Sequence, residues 1–334
     1  MNLPEINNCP GTLATGFHTY SPLALKRMFG GKKVSHILPY HSPKSSEEDA
    51  EKFIENRKRI SISGVQEKLS LLLEKKELRL TNEGEQGTYI LKPIPRDVSL
   101  VDQVPANEHL TMQIARQVYN IPTAENALVF FEGGEPAYIT LRFDVKSNGE
   151  KWRKEDFASL AGKSKDSSGP DYKYHYSYEE LGGLIRQFVP AWRIEIEKYF
   201  QLVLFNYLFS NGDAHLKNFA LLETSQGDFR LSPAYDLLNT KIHVKDSDFG
   251  LDKGLFADDY KSVAKRRTGH VGKADFIEFG KRIGVQETRI EKIMSAFLER
   301  QPLVSLLTSQ SYLSDQARAS YLRYYNTKRN QLLA

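Results

Sequence analysis

The sequence predicts an α+β protein of two lobes: residues 1–144 rich in strands, residues 145–334 mostly helical. Three observations predict this. Short apolar runs broken by turn residues fill the stretch from 69 to 143. From about 144 to 177 the chain becomes polar and rich in Gly, Ser and Pro. From 178 onward, apolar residues recur at helical spacing. A chain of 334 residues can give each lobe its own core, and a cleft between two lobes is a natural place for a ligand.

The elements follow in order. "RISISGVQEKLSLLL" (59–73) joins a hydroxyl-rich turn, Ser61 to Gln66, to an apolar run in which Leu69, Leu71 and Leu73 share a face. It reads as a hairpin corner, a phosphate-binding loop or a phosphate acceptor. "LSLLLEKKELRL" is a hairpin about Glu74-Lys-Lys-Glu77, and "TYILKPI" (88–94) is a strand stopped by proline. "HLTMQIARQVYN" (109–120) has helical spacing and ends before Ile-Pro. "NALVFFEGGEPAYITLRF" (126–143) is strand, turn and strand. In the second half, 194–211 is the most apolar helix, and 273–300 and 312–332 are amphipathic helices.

Composition removes several functions. Hydrophobic residues make up 40% and charged residues 26%, and no run of about eighteen apolar residues could span a bilayer. The N-terminus lacks the basic and apolar regions of a signal peptide, and one cysteine, Cys9, excludes an internal disulfide. Both features predict a cytoplasmic protein without a membrane partner. Cys9 and His18 have no second ligand pair, so a metal finger is not expected. The net charge of +4 is too small to argue nucleic-acid binding by itself. "KSVAKRR" (261–267) is the densest basic cluster, either a partner contact or a solvated loop.

The chemistry lies in "FSNGDAHLKNFALLETSQGDFRLSPAYDLLNT" (209–240). Asp213 sits just past the apolar helix, and Asn218 follows five residues later. "FALLE" and "FRLSP" then form a hairpin that returns Asp236 toward Asn218. Oxygen donors of this kind suit Mg²⁺, with Asp213 beside them to accept a hydroxyl proton. His215 and Lys217 lie between and would steady the loop or the transferring phosphoryl group. The plainer reading makes Asp213 and Asn218 turn formers and Asp236 a helix cap. Lys92 on the strand "YILKP" is either a phosphate contact with an anionic partner or an edge-strand lysine in solvent. Glu108 would pair with such a cation, or simply suit the helix dipole. "LRFD" (141–144) offers backbone to an adenine edge and Asp144 to a ribose hydroxyl.

"ISISGVQEKLSLL", "YILKP", "RFD", "NGDAHLKNF" and "SPAYDLL", in this order, resemble the HipA family of bacterial serine/threonine kinase toxins over roughly residues 55–300. The resemblance implies a bilobal fold similar to protein and phosphoinositide kinases, with ATP and Mg²⁺ as cofactors. It implies Asp213 as catalytic base, Asn218 and Asp236 as metal ligands, and Lys92 as the ATP-contacting lysine. Leu141, Arg142 and Phe143 match the hinge, with Asp144 beside it. Ser63, Gly64, Val65, Gln66, Glu67 and Lys68 match the phosphate-covering loop, and Ser61 the autophosphorylated serine, with Ser63 a second acceptor. His215, Lys217 and Tyr235 fall within the motifs of the nucleotide site. The early position of the loop and the Ser-Ile-Ser pattern are similar to the short HipT form. That form implies a HipB-like helix-turn-helix antitoxin and a HipS-like small protein as partners. It also implies DNA contact through the antitoxin and an aminoacyl-tRNA synthetase as substrate, tryptophanyl- ahead of glutamyl-. Two other classes compete: a small-molecule kinase, which shares the Asp–Asn–Asp pattern, and a non-catalytic module that joins an antitoxin on DNA.

Overall fold

A computed structural model of the chain describes residues 5–43, 67–95 and 98–333. Ser61 and the loop residues Ser63, Gly64, Val65 and Gln66 lie outside the described residues. The first helix, α1 (Pro22–Phe29), is set locally. The Ser21 hydroxyl accepts from the Ala24 N–H at 3.2 Å, proline takes the first turn, and Gly30 ends the helix at φ 60°. Its buried Ala24, Met28 and Phe29 join a core made with the strands that follow.

Those strands form one antiparallel sheet in the order β2-β1-β3-β5-β4. They are β1 (Leu69–Glu74), β2 (Glu77–Leu80), β3 (Tyr89–Lys92), β4 (Asn126–Phe130) and β5 (Pro136–Leu141). The predicted hairpin is present, with Glu74 opposite Glu77 and Lys75 at φ 54°. Leu69 and Leu71 are fully buried and Leu73 packs beside them, as the alternation predicts. The order makes β3 the middle strand, with β1 on one side and β5 on the other. Helix α2 (Val104–Gln117) follows β3 through a short 3₁₀ turn, Val101–Gln103.

The second half adds a three-stranded sheet, β6 (Lys154–Asp156), β7 (Ala220–Glu223) and β8 (Phe229–Leu231), antiparallel in that order. Two short helices, α3 (Phe157–Leu160) and α4 (Lys165–Ser168), precede α5 (Tyr178–Phe188) and α6 (Trp192–Leu208). Then come α7 (Val263–Thr268), α8 (Lys273–Ile283), α9 (Glu287–Leu298), α10 (Pro302–Gln310) and α11 (Asp315–Leu333). The amphipathic stretch 273–300 is thus two helices, because Gly284 takes φ 91° and ends α8. Helix α6 is the core, buried at every residue from Leu202 to Leu208. Phe200 stacks on Phe279 at 5.9 Å and Phe205 on Phe209 at 4.5 Å.

Two compact units result. One comprises Met1–Ile114, Ala124–Lys151 and Leu303–Arg318, and the other Ala115–Thr123, Trp152–Pro302 and Ala319–Ala334. The first is built on the five-stranded sheet, and the second is mostly helical around α6. The α+β class is as the sequence predicts.

Candidate active site

The second unit builds the stretch around Asp213 from the end of α6. The Asn211 N–H donates to the Asn206 carbonyl at 2.8 Å. Its side-chain amide donates to Asn206 Oδ1 at 3.0 Å and to the Asp236 carbonyl at 3.4 Å. The Gly212 N–H donates to Thr240 Oγ1 at 2.9 Å, and that hydroxyl donates to the Ser210 carbonyl at 3.0 Å. These bonds join the loop before Asp213 to the segment after Asp236. Two glycines allow the close approach. A Cβ on Gly212 would lie 2.5 Å from the Ser247 carbonyl, and one on Gly250 would lie 2.6 Å from the Ala214 N. Neither leaves room for a side chain without moving backbone.

Asp213 projects from this frame with its side chain 53% exposed. It is nevertheless surrounded by enough protein that burial, above all, raises its pKa. Lys173 and the Tyr174 hydroxyl pull the other way, and the charge of Asp236 adds to the rise. Asp236 acts on His215 as well, so the hairpin does return Asp236 to the Asp213 neighbourhood. Asp236 itself stands at φ 56°, a left-handed conformation that costs a non-glycine residue energy and is concentrated at functional sites. No helix begins at Leu237: the next element is the 3₁₀ turn Thr240–Ile242. Helix capping therefore does not explain Asp236.

Asn218 closes a 3₁₀ turn, Leu216–Asn218. Its Oδ1 accepts from the His215 N–H at 3.2 Å, which fixes the amide's orientation. His215 is buried, with Nε2 4.0 Å from Asp213 Oδ1, and Nδ1 has no hydrogen-bond partner. Burial first, then Lys173, lowers its pKa to about 3. His215 is therefore neutral at physiological pH and forms no ion pair with Asp213. It brings no positive charge to the loop. The Lys217 carbonyl accepts from the Tyr235 hydroxyl at 2.8 Å, tying the two hairpin ends together. No cluster of three or more His, Cys, Asp or Glu side chains suited to a metal occurs among the described residues. The expected set, one amide and one carboxylate, is what Mg²⁺ takes when phosphate and water complete its shell.

The first unit holds the second set of predicted residues. Lys92 is 3% exposed on the middle strand, so the solvent reading of this lysine does not hold. Its Nζ lies 2.6 Å from Glu108 Oε1, 16 residues on in α2, and 5.3 Å from the Tyr138 ring centroid. Glu108 is equally buried. Burying two charges costs several kcal/mol of desolvation per ion, so a well-packed apolar pair would hold the sheet to the helix as well or better. Arg142 and Asp144 form a bidentate pair, Nε to Oδ1 at 3.0 Å and Nη2 to Oδ2 at 2.7 Å. The N–H groups of Leu141 and Arg142 donate to the Glu125 and Thr88 carbonyls, both at 2.8 Å. Those two donors are spent within the sheet. Phe143 is half-buried beside them, and Glu67 and Lys68 lead directly into β1.

Lys173 and Tyr174 are site residues that the sequence reading missed. They lie about 40 residues before Asp213 in a segment that reads as a polar loop, and no local pattern marks them. The Tyr174 hydroxyl donates to Asp213 Oδ1 at 3.0 Å.

The family model "HipA-like C-terminal domain" matches residues 60–303. A Haemophilus influenzae protein named "Putative kinase" is 28% identical over 268 residues, covering 76% of each chain. Sinorhizobium fredii Y4dM, which carries the same designation, is 30% identical over 207 residues, 58% of this chain and 48% of that one. The chain thus spans about half of that relative's length. Among solved structures, HipA of Shewanella oneidensis, in complex with HipB and operator DNA, matches with a TM-score of 0.63 at 21% identity. The match covers 87% of this chain and 72% of that one, and it shows that the fold is HipA-like.

Proposed function

The chain belongs to the HipA-like C-terminal domain family, and from that premise we propose that it is an ATP-dependent serine/threonine-protein kinase, the toxin of a toxin–antitoxin pair. The observation that carries the reading is the buried Lys92–Glu108 pair at 2.6 Å, a strand lysine held by a glutamate of the next long helix. Protein kinases need this pair in place to hold ATP phosphates, and it has no evident advantage as packing. In this reading Asp213 takes the proton of a seryl hydroxyl as the seryl oxygen bonds to the γ-phosphorus of ATP. The γ-phosphorus bond to the bridging oxygen breaks and ADP leaves. Asn218 Oδ1 and the Asp236 carboxylate would hold Mg²⁺, which neutralises charge on the phosphate oxygens. Lys92 contacts the phosphates, and Arg142 sets the Asp144 carboxylate beside the adenosine. Labelled ATP offered with a panel of proteins, sugars and aminoglycosides tests the acceptor class. Label on proteins alone supports the reading, while label on a small acceptor alone would replace it with a small-molecule kinase.

The resemblance to the HipT form extends the proposal to a tryptophanyl-tRNA synthetase as substrate and a HipS-like protein as second partner. It also makes Ser61 and Ser63 self-phosphorylation sites. If the loop covers ATP phosphates as the resemblance implies, a phosphate there would add nearly two negative charges and repulsion would weaken nucleotide binding. Intact mass after incubation with ATP is expected to rise by one or two phosphates, with ATP affinity falling in step. No added mass, or added mass with full affinity, would count against self-inactivation.

The Shewanella protein was solved with HipB on operator DNA, and we extend a HipB-like partner to this chain. Lys261, Arg266 and Arg267 are exposed on and beside α7, the cluster most suited to a phosphate backbone. A gel shift of operator DNA is expected only with antitoxin present. Charge reversal at Arg266 and Arg267 is expected to weaken it and flatten its salt dependence. An unchanged salt slope would remove this cluster from the interface.

A further inference from the structure

Asp213 is not open to its surroundings on every side. The Tyr174 hydroxyl donates to Oδ1 at 3.0 Å. The backbone of this tyrosine is fixed from both flanks within the same unit. The Lys173 carbonyl accepts from the Leu216 N–H at 3.0 Å, in the catalytic loop itself. The Tyr174 carbonyl accepts from the Asp252 N–H at 3.0 Å, and the Asp252 carboxylate accepts from the Tyr176 N–H at 3.0 Å. The ring stands edge-on to His215, with centroids 5.3 Å apart. A held backbone and a half-buried phenol leave side-chain rotation as the simple way to release Asp213.

A general base takes a proton from a hydroxyl that already donates to it at about 2.6–3.2 Å. The Tyr174 phenol makes that contact now. Burial, and then the charge of Asp213, hold its pKa above the ordinary tyrosine value, so it stays protonated and remains a donor. Resting on the kinase reading, we propose that Tyr174 is a positioning residue that occupies the acceptor-hydroxyl place on Asp213. It shields the base from water until a seryl hydroxyl displaces the phenol. A protein acceptor can drive that displacement with contacts made elsewhere, whereas water cannot. The device thus favours transfer over hydrolysis.

The test uses the full chain with ATP and Mg²⁺, no added acceptor, and inorganic phosphate release as the signal. Tyr174→Phe keeps the ring on His215 and removes only the hydroxyl. Its hydrolytic kcat is expected to rise roughly tenfold with the KM for ATP unchanged, the scale of one hydrogen bond to a charged group. Adding Asp213→Asn is expected to abolish the gain. A merely structural tyrosine would lower kcat or raise KM when altered. Hydrolysis by Tyr174→Phe at or below the wild-type rate overturns the proposal, and if wild type still shows Asp213-dependent transfer, the kinase reading stands without it. No Asp213-dependent turnover in any variant would retire the kinase reading and this proposal together.

Discussion

Asp213→Asn is expected to lower phosphate transfer by at least about a hundredfold, the usual contribution of a positioned base, while leaving the fold intact. The substitution keeps an oxygen that can accept from Tyr174 and takes away only the capacity to hold a proton from the acceptor. The stability effect has a definite sign. Burial raises the Asp213 pKa, so the folded chain holds this proton more tightly than the unfolded one. Stability from this group is therefore complete at low pH and falls as pH rises through the raised value. At neutral pH the ionised carboxylate is a net cost, and Asn removes it. The variant should melt at or above the wild-type temperature at pH 7, and the difference should vanish below about pH 4, the ordinary carboxylate range. Undiminished labelling by Asp213→Asn would dismiss Asp213 as the base. A lower melting temperature at pH 7 would mean that the loop depends on the carboxylate for its shape.

What could be read in the chain follows the range of each interaction. Strands β1 to β5 were legible because alternation and turn residues act within a few positions. The Asp213–Asn218 spacing was legible for the same reason, and the hairpin between Ala220 and Leu231 carried the inference on to Asp236. Lys92 stood out because a lysine in an apolar strand needs an explanation. Its partner stayed ambiguous, since a glutamate in the first turns of a helix has a sufficient local reason to be there. Strand β6 was not legible: Lys154 and Glu155 are exposed, and pairing with β7, more than 60 residues away, makes the strand. Tyr174 was illegible in the same way, because its role exists only where the chain folds back on Asp213.

Lys92→Met is expected to lower folding stability by about 3–5 kcal/mol, because it removes the ammonium 2.6 Å from the buried Glu108 carboxylate. Transfer should be lost as well, and the single variant cannot say whether by unfolding or by loss of the phosphate contact. The double variant Lys92→Met, Glu108→Leu separates the two. With both charges gone, neither must be desolvated, and two apolar side chains can meet between the middle strand and α2. Most of the lost stability should return, measured as the denaturant midpoint. The return will be partial, since Lys92 and Glu108 each make further contacts. ATP affinity and transfer should stay lost. A wild-type midpoint for Lys92→Met alone would contradict the burial of the pair. Recovered transfer in the double variant would show that the lysine only supports the sheet, removing the observation on which the kinase reading rests most. A stable, inactive double variant would show instead that the buried charges are kept for the nucleotide at a standing cost to the fold.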